Sequence, residues 1–122
     1  MPTFIQGIDH IQLTGPKGCE EEARTFYVDK LGLTEIPKPE SLRKNGGVWF
    51  QCGNQEVHIG VEEGFTPQKK AHPAFVVKHL RTFRQHLRDV GIATKEDTPI
   101  AGRERFFVQD PFGNRIEFLE YE

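Results

Sequence analysis

The chain repeats itself, imperfectly, at an interval close to half its length. Arg24-Thr25-Phe26, followed by Leu31-Gly32-Leu33, recurs as Arg81-Thr82-Phe83, followed by Val90-Gly91-Ile92. The phenylalanines are 57 residues apart and the glycines 59. Gly53-Asn54 then recurs as Gly113-Asn114. A Gly-Asn pair alone is only a common turn signal; the shared order and near-constant offset carry the constraint. Two copies are too few for a solenoid, so the pattern predicts a duplicated supersecondary unit. At 122 residues the simplest host is one domain spanning 1–122, with module one over about 5–62 and module two over about 71–121.

Local patterns agree with a duplication. Ile8, Ile11 and Leu13 lie in a short strand-like run. In residues 20–31, Ala23, Phe26, Tyr27 and Leu31 recur at helical spacing, with Glu20, Glu21 and Glu22 in the first turn and Gly32 as the stop. Residues 47–52 and 55–62 read as strands around Gly53-Asn54. The second half repeats the order: a strand over 72–77, a helix face of Leu80, Phe83, Leu87 and Val90, and strands over 104–109 and 114–120. The turn between the last two is Asp110-Pro111-Phe112-Gly113. Residues 33–37 and 92–97 are candidates for one more strand in each half. Residues 37–41 read as a loop and 63–71 as the linker.

Four candidate metal ligands occupy matching places in the two halves. His10 and His72 open them, 62 residues apart; His58 and Glu117 stand near their ends, 59 apart. Strand side chains alternate between faces. Glu117 therefore opposes Ile116 and Phe118, and His58 opposes Val57 and Ile59. His10 opposes Ile11 and Leu13, while His72 opposes Phe75 and Val77. Each candidate lies on the side away from its strand's apolar residues, so modules that fold alike can bring all four to one point. Imidazole and carboxylate donors suit zinc, nickel, iron, cobalt or manganese. Calcium prefers an all-oxygen shell. Open positions on such an ion would take adjacent oxygens of a substrate, polarising a carbonyl.

Composition narrows the partners. A net charge of -2 and a pI near 6.2 give no general attraction to nucleic acid or anionic membrane. Apolar runs are too short to span a bilayer. Met1-Pro2-Thr3-Phe4 lacks the basic and apolar regions of a secretory leader. Cys19 and Cys52 fit no metal motif and read as free thiols of a reducing cytoplasm, with a single disulfide the alternative.

Together, Asp9-His10-Ile11-Gln12-Leu13, Phe26-Tyr27 with Leu31-Gly32-Leu33, His72-Pro73-Ala74-Phe75-Val76-Val77 and Asp110-Pro111-Phe112-Gly113-Asn114-Arg115-Ile116-Glu117 resemble the vicinal oxygen chelate superfamily. Glyoxalase I, extradiol dioxygenases and the bleomycin resistance proteins belong to it. The resemblance covers almost the whole chain. It implies an α+β fold of two βαβββ modules, forming an open, cupped eight-stranded mixed sheet with helices on the outer face. It also implies metal ligands at His10, His72 and Glu117, with His58 at the place of a fourth. Glyoxalase I carries a glutamate there, so His58 departs from that pattern; Glu56, on the same strand face, would replace it in a register shifted by two.

The expected activity is that of a small metalloenzyme, either a proton-transferring lyase or isomerase, or a ring-cleaving dioxygenase. Glu117 or His58 is the base of the first chemistry. The alternative is a metal-free antibiotic-binding protein. Arg103, Arg105 and Arg115 are either solvated charge or a clamp for a substrate carboxylate or phosphate. Trp49 and Phe50 divide between lining the cup and packing in the core. His79 and His86 receive no role. Relatives commonly pair, which implies a homodimer.

Overall fold

Alternation along the strands decides where the helices go. The computed structural model describes residues 3–122, so Met1 and Pro2, the start of the segment read as lacking leader character, lie outside the described residues. The chain divides into two compact units, Met1–Phe65 and Thr66–Glu122, with the boundary inside the stretch read as a linker.

In the first unit, strands β1 (His10–Gly15), β2 (Thr34–Ile36), β3 (Val48–Cys52) and β4 (Gln55–Val61) form one sheet in the order β1-β4-β3-β2. β1 runs parallel to β4, and the other pairs are antiparallel. Val48, Phe50, Val57 and Ile59 are buried on one face. Tyr27 stacks on Phe50 there, with ring centres 5.3 Å apart. Burial of such apolar surface is the main stabilising term.

The helix expected over 20–31 changes character midway. Helix α1 covers Glu20–Arg24, and π-helical turns continue over Thr25–Lys30. The Leu31 amide reaches back five residues to the Phe26 carbonyl. A straight helix turns successive side chains about 100° apart. The wider turn accompanies the burial of adjacent Phe26 and Tyr27, packed edge to face at 4.9 Å.

The stretch read as a loop over 37–41 also differs, because a 3-10 helix occupies Glu40–Asn45. It ends at Gly46 and Gly47, both at positive φ. Gly47 lies so close to β4 that an added Cβ would stand 2.3 Å from the Ile59 carbonyl oxygen. Its amide donates to Glu20 at 3.0 Å, and this bond holds the Glu20 carboxyl below its ordinary range.

In the second unit, β5 (Ala74–Val76), β6 (Arg103–Gln109) and β7 (Arg115–Tyr121) form a sheet in the order β5-β7-β6. Helix α2 (Leu80–Asp89) covers its apolar face. Phe118 is the hub there, with Phe83 of α2 at 5.0 Å, Phe106 at 5.6 Å and Phe75 at 5.8 Å. Glu120 accepts the amides of His79 and Leu80 at the start of α2, which holds its carboxyl below the ordinary range.

The expected eight strands are therefore seven among the described residues, in sheets of four and three. The 92–97 candidate is reduced to one antiparallel bridge, Lys95 to Phe107, with paired backbone bonds of 2.8 and 2.7 Å. It lies on β6, the position that β2 holds beside β3. The chain beyond it turns through Asp97-Thr98-Pro99, and Pro99 has no amide to extend a ladder. The strand expected over 72–77 is only Ala74–Val76, so His72 precedes the strand rather than lying on it. Pro73 still joins the sheet edge, its carbonyl accepting the Glu117 amide at 3.0 Å.

Candidate metal and substrate site

Each unit presents a second face, away from its helix, and the candidate ligands are there. In the first unit that face carries a column of three rings. Trp49 and His58 are Cα partners on adjacent strands, and their rings lie parallel within 3°, centres 3.7 Å apart. His10 stacks on the other side of His58 at 4.2 Å. His58 is 3% exposed, and its Nε2 lies 2.9 Å from Glu56 Oε1. Asp9 holds His10 through Nδ1 at 2.9 Å. A carboxylate on one ring nitrogen fixes the imidazole and leaves the other for a ligand, the arrangement common behind metal-binding histidines. Of the pair left open by sequence, Phe50 is the core residue and Trp49 the one on the face with His58.

In the second unit the face is charged. His72 Nε2 stands 3.0 Å from Glu117 Oε1, and Glu117 is 6% exposed. Arg105 approaches the other Glu117 oxygen at 3.6 Å. His72 Nδ1 is 2.9 Å from the Lys70 carbonyl oxygen, which can only accept. Arg115 Nη1, a donor, also lies 3.4 Å from that Nδ1, and His72 Nε2 faces a carboxylate oxygen. Two acceptors at that separation repel unless a proton or a cation lies between them. About 3 Å is also the spacing of two adjacent donors each about 2.1 Å from one octahedral ion. The His72–Glu117 pair thus fits a divalent metal in donor type and spacing.

Among the described residues, no three His, Cys, Asp or Glu side chains form a group able to hold a metal ion. The four expected donors stand as two pairs, His10 with His58 and His72 with Glu117. His79 is the residue before α2, in the left-handed region at φ 61. His86 lies on α2 itself.

The arginines share the Glu117 face. Phe107 is the Cα partner of Glu117, Arg105 of Leu119 and Arg103 of Tyr121. Arg105 lies over the Phe107 ring at 5.4 Å, Arg115 over the same ring at 4.0 Å, and Arg103 over Tyr121 at 4.8 Å. Arg115 donates to Asp97 and to the Lys70 carbonyl. The Thr98 amide, then Arg105 and Arg115, hold the Asp97 carboxyl below its ordinary range. Asp9, Glu56, Lys70, Asp97 and Phe107 were not singled out from sequence as supports of the site. Only Asp9 and Glu56 carried a usable signal, a carboxylate beside or two residues from a candidate ligand. The others depend on pairing across strands and loops.

A duplicated β-α-β framework, with imidazole and carboxylate side chains paired on the face opposite the helices, defines the class of small α+β proteins to which the chain belongs. Residues 7–118 match the model of the Glyoxalase/Bleomycin resistance protein/Dioxygenase superfamily, and the chain belongs to that superfamily. It is similar over its full length to the structure of a protein described as glyoxalase family from Bacillus anthracis, with 56% identity, a TM-score of 0.97 and 100% of both chains covered. Lactoylglutathione lyase from Agrobacterium tumefaciens is similar at 19% identity, a TM-score of 0.76 and coverage of 97% and 96%. An antibiotic binding protein from Streptomyces is similar at 14% identity, a TM-score of 0.79 and coverage of 99% and 100%. These two likenesses are of fold alone. No curated protein matches the chain. Among the described residues no helix is long and apolar enough to cross a membrane.

Proposed function

We propose that the protein is a metal-dependent enzyme of the proton-transferring lyase or isomerase type, acting on a small organic molecule with adjacent oxygens. The observation that carries this reading is the His72–Glu117 pair, an imidazole nitrogen and a carboxylate oxygen 3.0 Å apart on the face away from the helix. His72 and Glu117 are donors to a divalent zinc, nickel, iron, cobalt or manganese ion. His10, with Asp9 behind it, and His58 are the further donors. A bound ion of this kind supplies polarisation of a substrate carbonyl.

The chain's own residues supply the rest. Glu56 occupies Nε2 of His58, so Nδ1 is the atom that either binds the ion or accepts a proton from the carbon beside the carbonyl. Glu117 is the alternative base, steadied by Arg105 on its second oxygen. Arg103, Arg105 and Trp49 contact substrate. The flat Trp49–His58–His10 column fixes ring orientation and removes side-chain freedom before a ligand arrives.

Elemental analysis of protein purified anaerobically without chelator tests this. Bound zinc, nickel, cobalt or manganese, reduced below a tenth in both Glu117→Ala and His10→Ala, supports it. Retention of metal in Glu117→Ala removes it. Loss in Glu117→Ala alone confines the donors to the second unit. Bound iron instead selects the dioxygenase reading, for which two histidines and one carboxylate are also a suitable set.

A metal-free antibiotic-binding role is the second reading, favoured by the same ring column, since stacked aromatic surface binds planar ligands without an ion. Tight binding of aromatic ligands by protein that takes up no metal would select it. We further assign a cytoplasmic homodimer. The free thiol of Cys52 fits a reducing compartment. A sedimentation coefficient of the monomer at micromolar concentration removes the dimer.

A further inference from the structure

We propose that the Asp97-Thr98 turn is a brace that holds the His72 and Glu117 side chains facing each other, and so sets how tightly the pair binds a metal. Asp97, Arg115 and Arg105 are its positioning residues. This rests on the reading of His72 and Glu117 as metal donors.

The first observation is that His72 lacks the support a strand would give. It precedes β5, and residues 66–73 lie in neither helix nor strand. Its Nδ1 stands 2.9 Å from the Lys70 carbonyl oxygen. That carbonyl is held in turn by Arg115, whose Nη1 donates to it at 3.2 Å and lies 3.4 Å from the His72 ring nitrogen. Arg115 packs over the Phe107 ring at 4.0 Å, and His72 meets the same ring edge to face at 5.0 Å. The other end of the guanidinium, Nη2, donates to Asp97 at 3.1 Å. Arg115 thus spans from the turn to the carbonyl beside His72.

The second observation is that the next residue of the turn reaches the other donor. Arg105 Nη2 donates to the Thr98 carbonyl at 2.6 Å, and its Nη1 stands 3.6 Å from Glu117 Oε2. Glu117 Oε1 is the oxygen turned to His72. Two routes therefore start on adjacent residues and end on the two members of the donor pair. The turn is itself anchored. Asp97 Oδ1 accepts the Thr98 amide at 2.7 Å, and Lys95 is bonded to Phe107 of β6 in both directions.

These contacts bear more on orientation than on stability. The Asp97 and Arg115 side chains are 43% and 25% exposed, and ion pairs of that kind add little to folding. Groups behind a metal donor act on its direction and on its freedom to turn away from the ion. Positioning and charge also predict opposite signs. Asp97→Asn removes a negative charge and Arg115→Met a positive one, so by charge alone the first weakens binding of a cation and the second strengthens it. Through the brace, both weaken it.

Cobalt(II) titration of the full chain, read by visible absorption, tests the brace. Asp97→Asn and Arg115→Met are each expected to weaken cobalt binding at least about tenfold. Arg115→Lys weakens it as well, because an ammonium keeps the charge but cannot span Lys70 and Asp97. Asp97→Glu, which keeps the carboxylate, recovers most of the affinity. Glu96→Gln breaks the neighbouring pair with Arg84 and leaves the affinity unaltered. In metal-free protein, the His72 ring nitrogen resonances, assigned with His72→Gln, move in Asp97→Asn, while those of His86 on α2 do not. Tighter binding by Arg115→Met, unchanged affinity in Asp97→Asn, equal weakening by Glu96→Gln, or stationary His72 resonances overturns the proposal. Wild-type protein that takes up no cobalt defeats the metal reading instead, and the His72 resonances then decide the brace alone.

Discussion

The two modules share a plan and diverge on the face that matters. In the first, β1, β3 and β4 carry a neutral stack of rings, Trp49 on His58 on His10. In the second, the corresponding strands carry charge: Glu117, Arg105, Arg103 and Arg115 around Phe107 and His72. The helix faces remain alike, with Tyr27 on Phe50 in one module and Phe83 on Phe118 in the other. Packing against a helix admits few solutions, because interiors are close-packed and each large ring must find a partner. The open face has no such requirement. The duplication therefore preserved the scaffold while the two faces away from the helices diverged, one carrying stacked rings and one carrying charge.

The sharpest way to break this comparison is to attack its common part. Phe118→Ala removes the ring that meets Phe75, Phe83 and Phe106, and about 3–5 kcal/mol of stability should be lost in urea unfolding. A loss under about 1 kcal/mol would show that the aromatic hub is not what supports the second sheet. Gly47→Ala tests the counterpart hairpin of the first module. The new Cβ meets the Ile59 carbonyl at a positive φ that alanine resists, for an expected cost of about 2–4 kcal/mol by the same measurement. Gly113→Ala in the second module meets only a proline side chain, Pro67 Cγ, at 3.1 Å, and should cost about 1–2 kcal/mol.

The divergent faces give smaller effects. Trp49 is the only tryptophan, so its emission reports the ring column directly. His58→Leu should change that emission and cost about 0.5–1.5 kcal/mol. An unaltered spectrum would mean that the two rings do not stack in solution. Smallest of all is the acid dependence. Glu20 and Glu120 each hold backbone amides, at Gly47 in one module and at His79 and Leu80 in the other, and both carboxyls lie below the ordinary value of 4.5. A depressed folded value means stability that is fully present above 4.5 and lost as pH falls through that lower value. Glu20→Gln and Glu120→Gln should lower the urea midpoint at pH 7 and flatten its further fall toward about pH 3. Parallel curves for wild type and both variants would remove the capping role.

Much of this was legible in the residues. The Phe26/Phe83 and Gly32/Gly91 matches announced the duplication, and alternation in Glu56-Val57-His58-Ile59 and Arg115-Ile116-Glu117-Phe118 assigned His58 and Glu117 to the face away from the helix. The four-residue spacing around Phe26 and Tyr27 did not reveal the π-helical turns, since adjacent apolar residues also suit an ordinary α-helix with a broad buried stripe. The eighth strand was expected from symmetry, but Asp97-Thr98-Pro99 cannot sustain a ladder. His72 was placed within a strand and instead precedes β5, held by the Lys70 carbonyl.

Sequence by itself determined the superfamily, the repeated fold and the strand faces on which His58 and Glu117 lie, because periodicity and turn chemistry act locally and leave their trace in residue order. Only the tertiary structure decided that His10 meets His58 and His72 meets Glu117, that Trp49 rather than Phe50 joins the histidines, and that Arg103 and Arg105 each keep an unmatched Nε–H. Those relations depend on strand register and on which atoms remain unpaired after packing, and neither is written in the spacing of the residues.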